Sequence, residues 1–62
     1  MTDAEADKEW RGTKEFAVTA KTEREKEMAV AIIRSFERAY LEGKPWGVAI
    51  AKAAARSFWR GP

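Results

Sequence analysis

Lys14-Glu15-Phe16-Ala17-Val18-Thr19-Ala20-Lys21 is the stretch on which the fold turns. Phe16, Val18 and Ala20 alternate with Glu15, Ala17, Thr19 and Lys21, the two-residue period of a strand with one face buried. The run is short and alanine is a poor strand former, so a helical extension of the following element is the other reading. A strand here makes the chain mainly α, a short N-terminal strand followed by two amphipathic helices. A helix here leaves an all-α helical hairpin.

C-terminal to this stretch the pattern is helical. Thr22 followed by Glu25 has capping-box spacing and opens a helix that runs to Gly43. At 100° per residue, Met28, Ala29, Ile32, Ile33, Phe36, Ala39 and Tyr40 fall within an arc of roughly 140°, with Glu23, Glu27, Arg34, Arg38 and Glu42 outside it. Val30 and Leu41 escape the arc and sit near the polar side, a second contact surface of the kind a dimer would cover. Gly43 tolerates a left-handed backbone, Lys44 bridges, and Pro45 suits the first turn of a new helix over 45–60. That helix places Trp46, Ile50, Ala53, Ala54, Ser57 and Phe58 on one face. Val48, Lys52, Ala55, Arg56, Trp59 and Arg60 lie on the other.

N-terminal to the deciding stretch, residues 1–12 form an acidic tail or a short helix that starts at Thr2 and Glu5 and stops at Gly12. Residues 13–62 then make a single strand-helix-helix domain. With 62 residues, 45% apolar and 35% charged, the composition is that of a small folded domain. Such a chain buries only ~60% of its unfolded surface, and without staples it completes its core with a second copy or a partner.

There is no His and no Cys. Their absence removes imidazole and thiol catalysis, haem attachment, the usual zinc sites and disulfides together. Ser35 and Ser57 fall mid-helix with no base to activate them. The carboxylates at Asp3, Glu5, Asp7 and Glu9, and at Glu23, Glu25 and Glu27, spread around their helices rather than converging, and no glycine-rich phosphate loop is present. The expectation is a non-enzymatic protein without cofactor or metal. No apolar run approaches the ~20 residues needed to span a bilayer, and the N-terminus lacks the layout of an export signal. We therefore expect a cytoplasmic protein with no integral membrane association.

Net charge is +2, but residues 1–31 carry −2 and residues 32–62 carry +4. A basic C-terminal half with a pI near 9.2 permits a polyanionic partner. Lys52, Arg56 and Arg60 repeat at one helical face with Trp59 beside them, suited to phosphates or an anionic surface. An indole predicted opposite the Ile50 face is expected to be covered by a partner.

The order of alternating strand, capped helix, Gly43-Lys44 turn and second helix through Trp46, Ile50, Ala54 and Phe58 resembles the ribbon-helix-helix family of DNA-binding proteins over about residues 14–60. The resemblance implies an obligate homodimer whose paired strands enter the major groove of double-stranded DNA, acting as a small transcriptional regulator. On that footing Ala17, Thr19 and Lys21 would face base edges, and Lys44, Lys52 and Arg56 would meet phosphates. Phe16, Val18, Leu41, Val48 and Trp59 would make dimer or partner contacts. The competing expectation is a helical-hairpin protein-protein interaction module, a small subunit or protein inhibitor. Its Ile32/Phe36 and Ile50/Phe58 faces pack together while Leu41, Val48 and Trp59 meet a partner protein.

Overall fold

A computed structural model describes residues 1–59, the Trp59 side chain excepted; the expected contacts of Trp59 and Arg60 lie outside the described residues. The chain forms three helices, α1 (Asp3–Thr19), α2 (Glu23–Leu41) and α3 (Pro45–Trp59), and each touches the other two.

Residues 14–21 are not a strand. Residues 14–19 are the last turns of α1, and Ala20 and Lys21 link it to α2. The expected strand followed by two helices is thus corrected to an all-helical fold, nearer the hairpin alternative but with a third helix. The physical reason is a longer period. Ala6, Trp10, Thr13, Ala17 and Ala20 are spaced alternately four and three apart and form one stripe along α1, with Ala6 and Thr13 buried. Val18, which alternation would turn inward with Phe16, is instead 76% exposed. Lys, Glu and Ala also favour the helix. Thr13 donates its hydroxyl to the Glu9 carbonyl at 2.9 Å and Thr19 donates to that of Glu15 at 2.7 Å, so both stay inside the helical hydrogen-bond pattern. Without a strand among the described residues, the expected two-chain ribbon has nothing to pair.

The Thr2/Glu5 capping box is formed, but the helix it opens does not stop at Gly12. The boundary drawn between residues 12 and 13 falls inside α1. Glycine mid-helix costs up to about 1 kcal/mol against alanine, and seventeen residues of helix anchored by the Ala6 and Thr13 stripe absorb that cost.

α2 starts as expected at the Thr22/Glu25 box, where the two residues exchange hydrogen bonds of 3.1 and 3.2 Å. Its end is a Schellman closure: the Gly43 amide donates to Tyr40 O at 3.0 Å and the Lys44 amide to Ala39 O at 2.9 Å. Gly43 has φ 74°, the left-handed conformation that closure needs. Pro45 then begins α3, and the Val48 amide returns to Lys44 O at 3.1 Å.

The reversal brings α2 and α3 into backbone contact. A Cβ on Gly47 would lie 2.5 Å from the Ala39 carbonyl carbon and from the Tyr40 nitrogen. The core that follows is built from small residues, with Ala6, Ala29, Ala39, Ile50 and Ala53 buried. Trp10, Phe36 and Ala49 pack around Ala6, Ile50 and Ala53, and Phe36 meets Trp46 edge-on at 6.2 Å and 78°. Met28, Ile33 and Tyr40, expected inside with the rest of the α2 arc, sit at its flanks and are more exposed. Phe58, expected on the packed face of α3, is 80% exposed. Among the described residues no helix is long and apolar enough to cross a membrane.

Candidate functional site

A strongly apolar concavity lies between α2 and α3, with one wall supplied by α1. Ile33, Phe36, Glu37 and Tyr40 come from α2 at helical spacing, and Gly47, Ile50, Ala51 and Ala54 come from α3 at the same spacing. Two facing arrays of that kind enclose a groove of about 200 Å³, with Trp10 at its α1 side. The α3 side is shallow because three of its four residues are glycine or alanine, and the α2 side is raised by larger side chains. Tyr40, 52% exposed, stands at the lip. Glu37 is the one charged residue among those that line it.

A second cleft, between α1 and α3, is polar. Arg56 donates from Nη2 to Asp7 Oδ1 at 2.7 Å and from Nε to the same oxygen at 3.2 Å, joining residues 49 apart. Both side chains are about one-third exposed. Arg11 and Lys14 line the same cleft.

These placements locate the residues singled out in the sequence. Arg56, expected at a phosphate, is held by Asp7, whereas Lys52 is exposed and Lys44 is exposed with its Nζ 3.5 Å from Glu42. Ala17 is half-buried along α1, Thr19 is exposed with its hydroxyl turned back to its own helix, and Lys21 is exposed in the α1–α2 connection. The three do not share the face that alternating strand residues would share. Of the expected partner contacts, Phe16 and Val48 are half-buried, Val18 and Leu41 are among the most exposed apolar residues, and Trp59 has no described side chain.

Sequence reading missed the groove itself. Ile33, Phe36 and Tyr40 were assigned to a packed arc, Trp10 to an acidic tail or a short helix that it would dock on the core, and Gly47 to no role. Their signal was present in the α2 arc, which is wider than one neighbouring helix can cover. Ser35 donates its hydroxyl to the Ile32 carbonyl at 2.7 Å. No protein-family model matches the chain, and comparison with curated proteins and with solved structures finds no match either.

Proposed function

We propose that this chain is a non-enzymatic protein-interaction module whose α2–α3 groove receives an amphipathic helix of a partner protein. The observation that carries the reading is the groove: an apolar furrow lined by side chains of α2 and α3, open to solvent, with a single acid among its lining residues. A helix laid in such a furrow anchors it through apolar residues at i, i+3 or i+4, and i+7. Glu37 favours a guest that carries Lys or Arg beside those anchors, because a carboxylate at the rim selects by charge more than it adds affinity. The small α3 residues leave room for large anchors, and Tyr40 and Trp10 are of the types enriched at binding hot spots.

The test is selection of helical peptides from a displayed library against the full chain, followed by mapping of amide shifts. Selected peptides are expected to share the apolar spacing with a basic flank and to perturb Ile33, Tyr40, Ala51 and Ala54. Ile33→Asp should weaken them by about tenfold or more, while Leu41→Asp, outside the groove, should not. Peptides that map elsewhere, or that ignore Ile33→Asp, refute the reading.

A further inference from the structure

We propose that the outer face of α2 is a self-association surface on which a second copy of this chain docks antiparallel. This face is turned away from the Ala29, Ile32, Phe36 and Ala39 line that packs inward, and it shares no lining residue with the groove. The inference therefore goes beyond the reading above and stands without it.

Glu23, Glu27, Val30, Ala31, Arg34 and Arg38 lie along one open face of α2. Lys26 and Ser35 lie there as well, at positions that a twofold axis between Val30 and Ala31 would set against each other. The remaining charges are segregated, with two acids one turn apart, two small apolar residues, then two bases one turn apart. Within one helix each like pair repels, and the opposite charges three residues from the inner members, Arg24 for Glu27 and Glu37 for Arg34, form no ion pair with them among the described residues. Among the described residues Glu27 and Arg34 take part in no ion pair. Glu23 lies 3.6 Å from Lys26 and Arg38 lies 4.0 Å from Glu42, both loose and solvent-exposed. The helix dipole accounts for an acid at the first turn and a base at the last. It does not reach Glu27 and Arg34, which lie farther in.

A twofold axis crossing α2 between Val30 and Ala31 resolves the pattern. It sets Glu27 against the partner's Arg34, Glu23 against the partner's Arg38 and Val30 against the partner's Ala31, each contact made twice. A parallel pairing would place acid on acid and base on base. Val30, 46% exposed, and Ala31 give the centre a dry, closely approaching contact, and Leu41, 81% exposed, extends the stripe toward the partner's α1–α2 connection. With so little apolar area at the centre, charge complementarity sets the register and the association is salt-sensitive.

Sedimentation equilibrium of the full chain at low and high salt tests this, with circular dichroism confirming that each variant stays helical. The wild type is expected to show a monomer–dimer equilibrium that weakens with salt. Glu27→Arg alone and Arg34→Glu alone should each lower the association constant by about tenfold or more, since each sets like charges together twice. An equimolar mixture of those two variants should recover association, because every contact between them is complementary. A wild type that stays monomeric at millimolar concentration overturns the proposal, as do single variants that associate normally or a mixture that fails to recover. Loss of association in Tyr40→Asp with none in Glu27→Arg would place the second copy in the groove and overturn it equally.

Discussion

Gly47 and Gly12 both lie within helices, yet they face opposite demands. At Gly47 an added methyl would meet the backbone of α2, which cannot swing aside as a side chain can. Gly47→Ala should destabilise the protein by roughly 1–3 kcal/mol through overpacking of the α2–α3 crossing. At Gly12 an added methyl meets nothing within 4 Å. Gly12→Ala should therefore stabilise by about 0.5–1 kcal/mol through reduced freedom of the unfolded chain. Urea unfolding of the two variants checks both signs in one experiment. The Asp7–Arg56 pair is a third residue-scale case. Because both groups are about one-third exposed, Asp7→Asn should cost no more than about 1 kcal/mol. A double-mutant cycle with Arg56→Gln should return a coupling that shrinks as salt is raised.

At the scale of elements, α1 and α2 each open with the same device, a threonine and a glutamate exchanging hydrogen bonds across one turn. In α1 the Thr2 amide donates to the Glu5 carboxylate at 2.9 Å, and that bond, with help from the Thr2 hydroxyl, holds the Glu5 carboxyl below its ordinary 4.5. A folded value depressed in this way means the cap's contribution is complete above the unfolded value and is lost as pH falls through the folded one. The Glu5 carboxyl should accordingly titrate with a midpoint below 4.5, and Thr2→Ala should move that midpoint upward, both readable from its carbon chemical shift. The elements also show why reading succeeded unevenly. The Thr22/Glu25 start and the Gly43-Pro45 reversal were legible because local hydrogen bonding and backbone conformation dictate them. Residues 14–21 were misread because Phe16, Val18 and Ala20 satisfy a two-residue period, while the stripe that decides the case reaches back to Ala6 across a glycine taken as a stop. The pairing of Arg56 with Asp7 was not legible, because its partner lies in a helix from the other end of the chain and no local pattern carries that information.

At the scale of the whole molecule, the chain exposes more surface than its mass requires. The accessible area is 5043 Å², against about 4,000 Å² for a compact protein of this size. The excess is comparable to the roughly 800 Å² that one partner contributes to an interface of standard size. The shape agrees: Cα extents of 31 × 28 × 16 Å describe a slab whose interior is filled mainly by alanines. That architecture leaves Ile33, Tyr40, Val30 and Leu41 outside on two separate faces of one helix, and those faces are the ones assigned above to a guest helix and to a second copy. The groove was partly legible in the width of the α2 arc, but its third wall was not, since Trp10 reaches it only once α1 folds back. Because that wall hangs from a helix fastened by alanine contacts and one half-open charge pair, a peptide seated against the indole would brace the entire first helix. Amide exchange should then slow across residues 3–19, well outside the peptide's own footprint, and a Trp10→Ala variant should bind more weakly and lose that distant protection.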